Sequence, residues 1–145
     1  MLSSTLLPTN ASRPQRVETR KIVRYILCAL EKQASGQDVE FESASYNLEH
    51  ILPQNPSAGW EAFSDEDLDT FVYRLGNMAL METGPNREVG NADYATKRAV
   101  YAVSIFSLTR KVAEENADWT SSRIEARQRT LAKMATSVWR VAQLA

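Results

Sequence analysis

The sequence predicts an α+β domain in which two short strands are set among three or four helices. Three observations carry that prediction. Apolar residues recur at helical spacing near both ends of the chain, over 17–34 and again after residue 120. Two short runs, Tyr46 to Ile51 and Met78 to Met81, are bounded by turn-forming residues and read as strands. The chain has 145 residues, of which 43% are hydrophobic and 24% charged, enough for one domain with a real core.

Residues 1–16 contain Ser, Thr, Asn and two prolines, and read as a flexible lead or linker before a domain over 17–145. In the helix predicted for 17–34, Ile22, Ile26, Ala29 and Leu30 form a stripe that Val23 and Leu27 widen, and Ser35-Gly36 supplies the stop. Cys28 lies within this apolar segment and is read as core. Arg20, Lys21 and Arg24 form either a basic face or a solvated one. A turn follows at 36–38, then a weakly alternating stretch from Val39 to Ser45, and then the first strand. Ser64 is an N-cap, and the acids Asp65, Glu66 and Asp67 fall in the first turn of a short helix, where capping explains them better than metal binding. Trp60 and Phe63 are expected to anchor this loop in the core. Gly76 is expected to turn the chain into the second strand, and 82–85 to form a loop. A helix from about Ala92 to Leu108 carries Tyr94, Tyr101 and Ile105 along one side. Asn116-Ala117-Asp118 breaks the pattern. Thr120 or Ser122 caps the last helix, Ser122 with Glu125 fitting a capping box. Ile124, Leu131, Met134, Val138 and Trp139 form its predicted buried stripe.

The formal net charge is −1, unevenly spread. From Arg87 onward there are 10 Lys+Arg against 6 Asp+Glu, leaving 7 and 12 before it. A nucleic-acid contact should therefore be local and come from the C-terminal part. No apolar run reaches the ~20 residues of a membrane span, and no basic segment precedes the first leucines as a signal peptide requires. A single cysteine makes no internal disulfide, so the cytoplasm is the expected compartment. One Cys and one His also cannot build a Cys/His zinc site.

The most informative stretch runs from Tyr46 to Asn86. It opens with Tyr46-Asn47-Leu48-Glu49-His50-Ile51-Leu52-Pro53-Gln54. It closes with Leu75-Gly76-Asn77-Met78-Ala79-Leu80-Met81 and Gly84-Pro85-Asn86. His50 is the only histidine. A lone His is often a partly buried structural ring, but this one has Glu49 beside it and Pro53 soon after. Glu-His-Ile-Leu-Pro-Gln resembles the first motif of HNH nucleases, Asn77 their middle Asn, and Asn86 their last motif position. Together with Tyr94, Lys97 and a Trp-containing helical tail, the set is similar to the C-terminal domain of GmrSD-type modification-dependent restriction enzymes, over about residues 18 to 143.

That resemblance implies a ββα-metal core and metal-dependent cleavage or nicking of DNA in phage restriction. It implies His50 as general base, its unperturbed pKa of about 6.5 leaving it largely neutral near pH 7, with Asn77 orienting the imidazole. Glu49 and Asn86 are hard oxygen donors suited to Mg²⁺ or Mn²⁺, with Asn91 a second candidate for the role of Asn86. On a regular strand Glu49 and His50 point to opposite faces, so one site takes both only where the strand ends or twists. Arg87, Lys97 and Arg98 are the expected DNA contacts, with Arg123, Arg127 and Lys133 on the last helix in addition. Lys97 equally suits a buried polar group. In relatives the partner is a ParB-like nucleotide-hydrolysing domain. No Gly-rich phosphate loop occurs in this chain, so nucleotide hydrolysis is not expected of it. The alternative is a non-catalytic DNA- or protein-docking domain that keeps the HNH shape.

Overall fold

The structure is a computed structural model that describes residues 13–144, with side chains for 19–86 and 88–140. The expected lead therefore lies outside the described residues as far as residue 12. Helix α1 begins at Arg13, inside the segment expected to be lead, and runs to Ser35. Strand β1 (Tyr46–His50), helix α2 (Asp65–Phe71), a 3-10 turn (Leu75–Asn77) and strand β2 (Met78–Glu82) follow. Helices α3 (Thr83–Val89), α4 (Tyr94–Tyr101), α5 (Ser107–Glu115) and α6 (Ser121–Leu144) complete the order. The class is α+β, as expected. No helix among the described residues is long and apolar enough to cross a membrane.

The two strands pair antiparallel, with Tyr46 opposite Glu82 and His50 opposite Met78. The sheet lies between two apolar clusters, and the period-2 alternation of β2 shows it. Met78 and Leu80 enter a cluster with Val23, Leu27 and Leu30 of α1. Ala79 and Met81 enter one with Trp60, Tyr94, Tyr101 and Trp119. On β1, Tyr46 and Leu48 belong to the α1 side. Glu49, the next residue, is turned toward α4.

Local signals explain most of the elements. Gly36 ends α1 at φ 77°, its N–H donating to the Lys32 carbonyl at 2.8 Å. Ser64 and Asp67 form a reciprocal capping box, at 3.1 and 2.9 Å, so the acids of this turn are a cap. At α6 the cap is Thr120, whose Oγ1 accepts from Arg123 N at 3.2 Å; the Ser122–Glu125 box does not form. Trp60 is buried with Phe63 packed nearby, and Cys28 is core, both as expected. Arg24 is no surface cation. Its guanidinium donates to the carbonyls of Phe41 (2.7 Å), Tyr46 (3.2 Å) and Ser43 and lies 4.0 Å from the Tyr46 ring centroid, fixing the irregular stretch before β1 against α1.

Several expectations are corrected. The loop expected over 82–85 does not form: Glu82 ends β2 and Thr83 opens a helix that runs to Val89, with Pro85 in its first turn, where a missing N–H costs nothing. The single helix expected over 92–108 is two. Glu82 divides them by accepting from the Ser104 hydroxyl (2.7 Å) and Ile105 N (3.1 Å), which leaves Ile105 exposed. No side chain at Phe106 caps α5. Buried Glu31 of α1 does so instead, accepting from Ser107 N at 2.8 Å and Leu108 N at 3.0 Å. Ile22 and Trp139 are exposed rather than buried, because α1 and α6 each turn a narrower stripe inward than their apolar residues suggest.

Gly76 owes its place to close approach, not to a special backbone angle. A Cβ there would meet the Ile124 carbonyl oxygen and lie 2.8 Å from Gln128 N, both in the backbone of α6. Gly76→Ala should therefore destabilise the fold by about 1–3 kcal/mol, read as a lower urea midpoint.

Candidate active site

β1 ends at His50, and three interactions fix the chain there. Lys97 of α4, fully buried, directs its ammonium at the Glu49 carboxylate (3.0 Å) and the carbonyls of His50 (2.9 Å) and Ile51 (3.1 Å). An ammonium has three protons, and each finds an acceptor. The buried hydroxyl of Tyr101, one turn further along α4, donates to the same Glu49 oxygen, Oε2, at 2.5 Å. Asn77 holds the next residue. Its Oδ1 accepts from Leu52 N (2.8 Å) and Trp119 Nε1 (3.0 Å), and its Nδ2 donates to the carbonyls of Leu52 and Val72 (both 3.0 Å).

These contacts correct two expected roles. The four bonds of Asn77 use its whole amide, so it shapes the loop behind His50 and does not touch the imidazole. Lys97 is buried in an ion pair and cannot reach a DNA backbone. Arg98 is likewise not at the site: its Nε donates to the Ala113 carbonyl at 2.9 Å, tying α4 to α5. The side chain of Arg87 lies outside the described residues. On α6, Arg127 is a structural clamp on the carbonyls of Gly76 (3.0 Å) and Met78 (2.6 Å), and Arg123 pairs with Asp118 at 3.4 Å. Lys133 is exposed.

Glu49, His50 and Asn86 do come together. They line one polar cleft of about 210 Å³, with Arg20, Gln54, Asn55 and Asn91 also on its walls. The strand ends at His50, so neighbours that leave it on opposite faces both reach this opening. Asn86 arrives from α3, the helix that follows β2 directly. Gly90, at φ 48°, ends that helix and turns the chain so that Asn91 returns to the rim. The Asn91 carbonyl accepts from Ser57 (3.0 Å) and Trp60 Nε1 (3.4 Å), closing the loop over the far wall.

The electrostatics follow from burial. Desolvation, with the charges of Arg20 and Lys97, lowers the His50 pKa from 6.5 to about 4, so the ring is neutral at pH 7. Neither ring nitrogen has a hydrogen-bond partner among the described residues, and Nε2 is buried. Tyr73 holds the imidazole edge-to-face, with centroids 5.7 Å apart. Burial pushes the Glu49 carboxyl up, and the Lys97 charge and Tyr101 hydroxyl pull it back. Burial and the Glu49 charge raise the Tyr101 pKa well above its usual value and keep it a donor. No described residue bonds Glu49 Oε1 or the Asn86 amide.

One carboxylate, one imidazole and four side-chain amides, those of Gln54, Asn55, Asn86 and Asn91, thus line the cleft. Among the described residues no group of three or more His, Cys, Asp or Glu is placed to hold a metal. Such a sparse set of oxygen donors fits a hard divalent ion that keeps much of its water, and does not fit a closed thiolate–imidazole zinc site. Sequence reasoning missed Arg20 as a cleft residue, Tyr73 and Tyr101. Arg20 had no motif to mark it, Tyr101 read only as part of one side of a helix, and no pattern singled out Tyr73.

A strand–strand–helix cleft with a neutral imidazole, a carboxylate and amides, and one guanidinium at its edge, suits a polar anionic ligand. The chain belongs to the family of GmrSD restriction endonucleases, C-terminal domain, whose pattern matches residues 4–134. No curated protein matches the chain. Membership in that family ties the domain to restriction-endonuclease function, with DNA as substrate.

Two consequences are measurable. Lys97→Met leaves Glu49 buried without its counter-charge and should cost about 3–5 kcal/mol in chemical denaturation; adding Glu49→Gln should recover part of it. In the unfolded chain His50 takes up a proton near pH 6.5, whereas folded it resists to about pH 4. The stability it contributes above pH 6.5 is therefore lost as pH falls through that window. Melting curves of His50→Gln should show a shallower loss between pH 6.5 and 4 than the wild type, the carboxylate contributions being common to both.

Proposed function

We propose that this domain is a metal-dependent DNA endonuclease or nickase of the HNH kind, the cleavage module of a phage-restriction system in the cytoplasm. The observation that carries the reading is the convergence of His50, Glu49 and Asn86 on one cleft of a restriction-endonuclease domain. His50 is the general base. Its ring is neutral, unbonded and held by packing, so it can accept the proton of an attacking water. A base with a pKa of about 4 is a weak acceptor in the free protein. A phosphate entering the cleft brings negative charge beside the ring and raises its proton affinity.

Glu49 and Asn86 would hold the ion, Mg²⁺ first and Mn²⁺ second, with Asn91 as the other amide in reach. When bound, that ion supplies positive charge opposite the phosphate and the leaving oxygen. Lys97 and Tyr101 keep the Glu49 carboxylate in place for it, and Asn77 fixes the loop on which the His50 backbone ends. A ParB-like nucleotide-hydrolysing domain or protein is the proposed partner, supplying the nucleotide hydrolysis for which this chain has no phosphate loop.

Supercoiled plasmid with Mg²⁺ should accumulate nicked or linear product, chelation should stop it, and His50→Ala should reduce the rate by ~10²–10⁴-fold with the fold retained. Binding of DNA without cleavage under any of these conditions would instead favour the docking-domain alternative. His50→Ala cutting at the wild-type rate would remove the imidazole from the mechanism.

A further inference from the structure

Of the described side chains that line the cleft, Arg20 alone is a cation. It comes from α1, outside the strand–strand–helix unit that carries Glu49, His50 and Asn86. Arg20 is exposed and makes no hydrogen bond or ion pair among the described residues. Its charge acts directly on the His50 ring. The other positive charge near that ring, Lys97, is spent on Glu49 and two carbonyls.

Its position is built in. Arg24 lies one helical turn further along α1, and residues four apart share a face. Arg24 locks that face to the start of β1 through the carbonyls of Phe41, Ser43 and Tyr46 and by stacking on the Tyr46 ring. Tyr46, Leu48 and His50 alternate on the α1 side of the strand. Fixing Arg24 at Tyr46 therefore sets Arg20 beside the far end of the strand, where His50 stands. A free guanidinium, with parallel N–H donors and a charge that no accessible pH removes, is the group best suited to a phosphate.

We infer that Arg20 is the phosphate-binding residue of this cleft, donating from α1 to the non-bridging oxygens of the DNA phosphodiester that His50 faces. The inference deepens the nuclease reading and rests on it. It also revises the expectation that DNA contacts come from the more basic C-terminal part: the anion is met by a helix of the acidic half, where the net charge predicts no contact.

The test compares the full chain with Arg20→Gln, Arg20→Lys and, as a control on the same helix, Lys21→Gln, which does not line the cleft. Circular dichroism and melting establish that each folds. Fluorescence anisotropy with a labelled duplex in metal-free buffer gives affinity against salt, and plasmid nicking in Mg²⁺ gives rate against DNA concentration. Loss of one phosphate contact should flatten the log–log salt slope of Arg20→Gln by about 0.9. Its nicking efficiency should fall at least ten-fold, with Arg20→Lys intermediate and Lys21→Gln unchanged. An unchanged salt slope and rate in Arg20→Gln would overturn the inference while leaving the nuclease reading intact. If the wild type does not nick, that reading fails, and the salt slope alone still decides whether Arg20 binds phosphate.

Discussion

The site depends on one buried ion pair, Glu49 with Lys97. A strand end is ordinarily a place where the chain frays, because its last carbonyls have no ladder partner. Here the ammonium takes the carbonyls of His50 and Ile51 along with the Glu49 carboxylate. One side chain of α4 therefore fixes the rotation of β1, the exit of the loop and the direction of a carboxylate. Burying two charges costs several kcal/mol of solvation, and the pair repays this only because every ammonium proton is accepted and Tyr101 satisfies the same carboxylate oxygen. The gain is less in stability than in specification: an apolar pair would hold α4 against the sheet without fixing where Glu49 and His50 point.

That arrangement also sets the charge of the cleft. Neutralised from beneath, Glu49 presents little net negative charge to an incoming phosphate, yet its free oxygen remains a donor. His50 is kept neutral by its own burial and by two neighbouring cations. Among the described side chains of the cleft, Arg20 is then the one positive charge left without a partner. A chain with a formal charge of −1 can thus receive a polyanion, because the local field near a ligand within a Debye length outweighs the sum over the molecule.

The class of fold, both strands and the two long helices were legible in the sequence, since periodicity and caps are local signals. The resemblance of the motifs led to the expectation that Glu49, His50 and Asn86 share a cleft, as they do. What was not legible was partnership across the fold. Lys97 and Arg98 are adjacent cations on a short helix, and nothing local says that one is buried under β1 and the other bonded to α5. Asn77 stood at the expected position, but its amide serves the backbone of Leu52 and Val72 rather than the imidazole. The division of 92–108 into two helices needed Glu82, some twenty residues earlier. Thr83-Gly84-Pro85 looked like a loop because proline and glycine usually mark one, whereas proline in a first helical turn loses no hydrogen bond. Arg20 and Arg24 were indistinguishable as sequence, one turn apart on the same face, and only the packing of α1 on β1 separates a clamp from a free guanidinium.

The side chains of the site divide by what they leave unsatisfied. Lys97, Tyr101 and Asn77 are buried donors whose hydrogen bonds are made within the protein. The His50 ring, the Asn86 amide and the Arg20 guanidinium have no partner among the described residues. Unmet polar groups cost free energy where water is scarce, as at the buried Nε2 of His50. A fold selected for stability alone would bond or replace them, as it does at Asn77. They line one cleft, but they are not equally prepared. The His50 ring is oriented before a ligand arrives, packed edge-to-face on Tyr73, whereas the exposed Arg20 side chain is ordered only when it binds. Among the described residues, α1, β1 and α3 each bring one such group to this cleft, so the unsatisfied groups gather at the junction of three elements and not on any single one.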